Sequence, residues 1–260
     1  LRMSRGLGDV YKRQILNQGD RIMIDKMVGK TEVALYGLAY SIGMLVQLFI
    51  SGMNSALTPW MYSKIKKGDI RSMRKVLQLL SIVVVGIAVA LMLISPELVL
   101  IFGSPKYREA VYVIPPVAAS VFFIFIYNIL SMPQFYYEKT QFLMAASMAA
   151  AGANVVLNFI FIRLFGYIAA GYTTLACYML YSVGHYIVSK RILVNEGIQE
   201  NLMNPGFLLA CSVFLIGASI ICNLIFPYRI LRYAILLASA GLVFWKKELL
   251  LKTMADIRKK

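Results

Sequence analysis

The sequence predicts an all-α, polytopic membrane protein with about seven transmembrane helices, and three observations carry that prediction. The 260 residues are 60% apolar and only 15% charged, whereas a soluble domain is nearer half apolar and a quarter charged. The charges fall in short clusters, and the uncharged stretches between them cover 33–63, 76–96, 110–137, 140–162, 164–189 and 201–228. Each exceeds the roughly 20 residues that, at about 1.5 Å per residue, cross a hydrocarbon core of about 30 Å. Runs such as Ser81–Ile94 also lack the in–out alternation of barrel strands.

The chain opens on LRMSRGLGDVYKRQ, which has neither an apolar signal core nor an amphipathic stripe. Its tail resembles translated adapter sequence, so 1–14 reads as a non-native leader and is set aside. Native sequence is expected from near Ile15, in the last turns of a helix whose beginning is missing. Residues 15–200 then read as one transmembrane bundle, 201–246 as two additional helices, and 247–260 as a basic tail. The second of those helices has a short apolar core, 233–245, and reaches spanning length only if Arg229 and Arg232 snorkel to the interface.

The net charge of +15 does not point to nucleic acid, because the basic residues are spread over several loops. Between the first two spans lie Lys64, Lys66, Lys67, Arg71, Arg74 and Lys75. With that loop in the cytoplasm, Lys139, Lys190, Arg191 and the carboxy-terminal cluster fall on the same side. The count is then fifteen basic residues inside against eight outside, as the positive-inside rule asks. The connections are short, so the protein's work is expected within the membrane.

The first span carries the clearest pattern. Gln47, Ser51, Asn54, Ser55 and Thr58 share one helical face, which must meet protein or water rather than lipid. Interhelical hydrogen bonding and the lining of a hydrated cavity explain it equally well. The span at 140–162 places Ser147, Asn154 and Asn158 on one face, beside the small-residue run 145–153. The span at 110–137 holds Asn128 and three prolines, Pro115, Pro116 and Pro133, which imply kinks. These eight polar residues (Gln47, Ser51, Asn54, Ser55, Thr58, Asn128, Asn154, Asn158) are the expected substrate path.

Beyond the leader, no acidic residue is expected in the middle of a span. Glu97 alone has an apolar context, which makes it the candidate for ion coupling. His185 reads as a packed or interfacial histidine, and the three cysteines as small membrane-buried hydrophobes. There is no phosphate loop, HExxH or GxSxG signature. No catalytic residue, metal site or cofactor is predicted, and a transporter is favoured over an enzyme.

Several stretches resemble bacterial polysaccharide-repeat flippases. DRIMIDKMVGKTEVALYGLAYSIGMLVQ at 20–47 resembles the segment joining their seventh and eighth helices, and PELVLIFGSPKYREAVYVIPPVAAS at 96–120 their ninth-to-tenth junction. NVVLNFIFIRLFGYIAAGYTTLACYMLYSVGHY at 154–186 resembles their eleventh and twelfth helices. The similarity, spread over about 18–190, is to the polysaccharide transporter family of the multidrug/oligosaccharidyl-lipid/polysaccharide superfamily. It implies the second lobe of a twelve- to fourteen-helix, two-lobe transporter in the bacterial cytoplasmic membrane, with the carboxy-terminus cytoplasmic. Its implied action is flipping an undecaprenyl-diphosphate-linked oligosaccharide by alternating access for surface polysaccharide synthesis. Its partners would be that lipid-linked oligosaccharide, membrane lipids and the missing first lobe. No basic residue falls midway through a span, a departure from the cationic cavity typical of the family. A cation-coupled drug or metabolite antiporter of the same superfamily is the alternative, and a membrane glycosyltransferase or polymerase a more distant one.

Overall fold

The computed structural model describes residues 19–245, with side chains as far as 238. The expected leader, 1–14, and the basic tail, 247–260, lie outside the described residues. Helix α1 occupies 19–27, followed by α2 (Lys30–Gly43), α3 (Leu45–Lys66), α4 (Ile70–Phe102) and a 3-10 helix (Pro105–Tyr112). Then come α5 (Ile114–Tyr136), α6 (Gln141–Phe165), α7 (Ala169–Asn195), α8 (Pro205–Ile225) and α9 (Arg229–Trp245). No strand occurs among the described residues.

Five of these are long and apolar enough to cross a membrane: α2 with α3 as one unit, α4, α5, α6 and α8. The predicted spans recur within them, with differences that have physical causes. The first extends from Lys30 to Lys66 and is divided at Met44. Helix α7 has 27 residues, but Thr173, Thr174, Ser182, His185 and Ser189 dilute its apolar character. Helix α9 has 17.

Helix α5 is the axis of the bundle. Of its most apolar stretch 89% is buried, against 17% for α6 and for α8, so α5 is surrounded by protein while the other two present most of their surface outward. Pro115 and Pro116 do not kink it. They sit at its first turn, where the missing N–H groups have no helical acceptor to lose. The outer partners reach α5 closely through glycine: a Cβ on Gly43 of α2 would fall 2.6 Å from Val117, and one on Gly171 of α7 3.0 Å from Pro116. Among the described residues of α6, only Asn154, Asn158 and Ile162 are buried, whereas Met148, Val156 and Leu164 are exposed. That distribution suits a helix with lipid on most sides.

The loops expected on one side meet at one end. Lys139 pairs with Glu196 at 2.8 Å, Lys64 with Asp69 at 2.6 Å, and the Arg74 Nε–H donates to the Asn201 carbonyl at 2.7 Å. At the other end the Tyr167 hydroxyl donates to the Glu109 carbonyl.

Arg232 corrects the sequence reading. It does not snorkel outward; it is 3% exposed and points into α4. Its guanidinium donates to both Glu97 oxygens, each at 2.8 Å, and to the Leu93 carbonyl. The fork of the guanidinium matches the two carboxylate oxygens, so the charge is neutralised where it lies instead of being carried to water. This pair fastens α9 to the bundle. Arg232→Leu strands the Glu97 charge and should cost about 3 kcal/mol. The double substitution Glu97→Leu with Arg232→Leu should recover most of that loss, as read by thermal unfolding of the full-length protein in detergent.

Candidate functional site

The polar residues expected to form one path separate into two regions. In the first, α3 carries Gln47, Asn54 and Thr58 half-buried and Ser51 and Ser55 exposed. The Ser55 and Thr58 hydroxyls donate to the Ser51 and Asn54 carbonyls one turn earlier, satisfying themselves within the helix. Thr58 Oγ1 also lies 3.8 Å from the Met132 sulfur of α5. Asn128, half-buried, precedes Met132 by one turn and therefore lies on the α5 face next to this stripe. Leu48 and Phe49, on neighbouring positions of α3, are 74% and 47% exposed. The stripe thus flanks an open face of the described bundle.

The second region is buried and contains a carboxylate. Asp20 on α1 is 3% exposed, a buried carboxylate that the sequence reading did not single out. Its surroundings come from three other helices. The Tyr36 hydroxyl of α2 donates to Asp20 Oδ2 at 2.7 Å, and the Thr174 hydroxyl of α7 donates to the same oxygen at 3.1 Å. The Asn158 amide of α6 donates to Asp20 Oδ1. Asn158 also donates to Asn154 Oδ1 at 3.2 Å, and Asn154 donates to Thr174 Oγ1 at 3.4 Å. Asp20, Asn158, Asn154 and Thr174 therefore close a ring of hydrogen bonds. Thr173 adds a bond from its hydroxyl to Asn158 Oδ1.

Local sequence explains why these groups meet. Asn154 and Asn158 are one turn apart on α6, and Thr173 and Thr174 stand in the second turn of α7, beyond the short turn at Gly166. The antiparallel hairpin faces them toward each other. Gly166, at φ 74°, supplies the left-handed residue that closes α6. Tyr36, Asn158 and Thr174 each lie within about two turns of the helix end on that side, a depth of about 11 Å. Three donors on the carboxylate offset much of the cost of keeping it from water.

The ring is an oxygen-rich site of one formal negative charge: a carboxylate, two amides, two threonine hydroxyls and a phenol. These groups are hard oxygen donors. Rotating the Asn158 or Asn154 amide would replace a donor by an acceptor, converting donors around a bare carboxylate into oxygens around a cation. Glu97, the acidic residue singled out by sequence, is instead held by Arg232, with the Tyr233 hydroxyl at 3.0 Å. Sequence reasoning missed Asp20 because Arg21, Asp25 and Lys26 follow it, so the segment reads as a charged flank. The signal that could have found it was the amide pair on α6, which needs buried partners.

Comparison with known proteins gives a consistent picture. Residues 14–160 match the model of the MatE family. A protein described as an uncharacterized membrane protein of Haemophilus influenzae is 31% identical over 142 residues, covering 52% of this chain and 33% of that protein. The match thus spans about a third of the length of this relative. No solved structure matches.

The ring makes a stability prediction. Asn158→Leu removes the donor to Asp20 and breaks the ring, and should destabilise the full-length protein by about 3 kcal/mol, the scale for a lost hydrogen bond to a buried charge. Asp20→Asn keeps the shape and removes the charge, so its loss should be smaller. Thermal unfolding in detergent gives both values, and an Asn158→Leu protein as stable as the parent would show that the ring holds nothing together.

Proposed function

The chain belongs to the MatE family, whose members are transporters, and from that premise we propose that it is the second lobe of a cation-coupled exporter. In this reading a monovalent cation, a proton or sodium ion, occupies the Asp20 ring. The observation that carries the proposal is the buried carboxylate surrounded by neutral oxygen groups from three helices. Ionisable side chains within transmembrane bundles are costly, and they mark ion and proton pathways. Members of this superfamily span drug antiporters and lipid-linked oligosaccharide flippases, and both uses accommodate such a coupling site.

For the cargo we propose an undecaprenyl-diphosphate-linked oligosaccharide, supported by the resemblance distributed over about 18–190. Gln47, Ser51, Asn54, Ser55, Thr58 and Asn128 would line its path, with hydroxyls and amides suited to sugar hydrogen bonds. Asn154 and Asn158 belong with the coupling ring in this proposal. The antiporter reading is favoured by one specific feature, the lack of a basic residue among the path residues to receive a diphosphate. In both readings we propose that the basic loop ends face the cytoplasm and that the protein lies in the cytoplasmic membrane.

The deciding experiment expresses the full-length gene in a flippase-deficient bacterial host. The parent gene should restore polymer export. Asp20→Asn should reduce export at least tenfold and, in proteoliposomes, abolish its response to an imposed sodium or proton gradient. Unchanged gradient dependence in Asp20→Asn would remove the coupling proposal, while failure to restore export accompanied by new drug resistance would favour the antiporter.

Orientation is tested separately. In a full-length protein without native cysteines, cysteine at Lys106 should react with an impermeant thiol reagent in intact cells, and cysteine at Lys67 should not. The reverse pattern would invert the proposed sidedness.

A further inference from the structure

Two adjoining cavities lie on the outward surface of α5, α7 and α8. The first, of about 270 Å³, is an apolar groove lined by Phe122 and Ile126 of α5, Met179 and Val183 of α7, and Leu208 and Leu209 of α8. The second, of about 440 Å³, is bounded by Ile187, Lys190, Arg191 and Asn195 of α7. Tyr186 lines both and joins them.

The groove runs from mid-bundle toward the end of the molecule where the basic loops gather. From Met179 to Lys190 the α7 axis advances about 16 Å, close to one leaflet of a hydrocarbon core of about 30 Å. Apolar surface therefore extends for the depth of one leaflet and ends beside a phenol and two cations. Tyrosine favours that boundary, where its ring is apolar and its hydroxyl wet.

These two cations are uncompensated among the described residues. At this end Glu196 is engaged by Lys139, Glu200 by Arg74 and Asp69 by Lys64. Lys190 and Arg191 are exposed and make no ion pair among the described residues. Val183 and Leu209 are 55% and 66% exposed, so the groove opens sideways, toward the lipid.

We propose that this surface binds an anionic phospholipid, with the headgroup phosphate held by Lys190 and Arg191 and one acyl chain lying in the α5–α7–α8 groove. Charge complementarity selects the headgroup, and the length and apolar lining of the groove select the chain. The site is separate from both the Asp20 ring and the α3 stripe, and it depends only on the protein's membrane location. Its failure would leave the coupling proposal standing, and the converse also holds.

The test measures lipid retention by the purified full-length protein, using native mass spectrometry and equimolar phosphatidylglycerol and phosphatidylcholine with identical chains. The parent should retain phosphatidylglycerol preferentially, and millimolar inorganic phosphate should not displace it. A basic residue within reach of the bound headgroup favours anionic lipid about fivefold. Lys190→Gln with Arg191→Gln should therefore reduce the preference about 25-fold, while Lys66→Gln with Lys67→Gln should leave it within about twofold. Val183→Trp, which fills the groove, should lower phosphatidylglycerol retention with both cations intact. Leu209→Trp serves the same purpose if Val183→Trp does not elute as a monodisperse protein. Equal retention of the two lipids by the parent, or an undiminished preference in the double glutamine variant, would overturn the proposal. So would displacement by phosphate, or full retention in the groove-filling variant. Displacement by a polyprenyl diphosphate at equimolar concentration would reassign the site to the cargo and also overturn it.

Discussion

A carboxylate held away from water must be given donors, and Asp20 imposes that requirement on three other helices at once. Tyr36, Asn158 and Thr174 meet it from α2, α6 and α7. The demand is strongest on α6, whose buried side chains among the described residues are two asparagines and Ile162. Lipid cannot drive apolar surfaces together as water does, so a helix with so little buried apolar surface needs polar contacts to define its position. The ring supplies them. Close approach at Gly43 and Gly171 brings α2 and α7 against the start of α5, which places Tyr36 and Thr174 within reach of one carboxylate. Removing either glycine's freedom from a Cβ would move a wall of the site.

The same physics accounts for what could be read from the sequence. Hydrocarbon excludes unpaired charge, so charge-free runs marked the spans, and the α2–α3 unit, α4, α5, α6 and α8 follow them closely. The rule fails where a charge is paired inside the protein. Arg232 looked like an interfacial residue, but Glu97 lies across from it on a helix 135 residues earlier, and no local pattern announces that partner. Asp20 was hidden in a segment that also holds Arg21, Asp25 and Lys26. Asn154 and Asn158 were legible as unusual, and their spacing gave their shared face. That face meets a carboxylate 138 residues away from Asn158, a relation set by packing alone.

The separation of the polar residues into a buried ring and an outward stripe gives the proposed transport cycle a physical form. The ring contains α2 through Tyr36, and α2 passes into α3 at Met44 without an intervening loop. The Met44 N–H still bonds to the Tyr40 carbonyl, so α2 and α3 are joined without a break in the backbone hydrogen bonding at that point. The stripe Gln47–Thr58 begins one turn later. A cation that binds the ring more tightly in one placement of α2 therefore favours the corresponding placement of the stripe. Linkage then requires the reverse: cargo bound to the stripe in that placement raises the ring's affinity for the cation by the same factor. The ring and the stripe need no contact for this. They need one element whose position both of them bias, and in the proposed cycle the α2–α3 unit is that element.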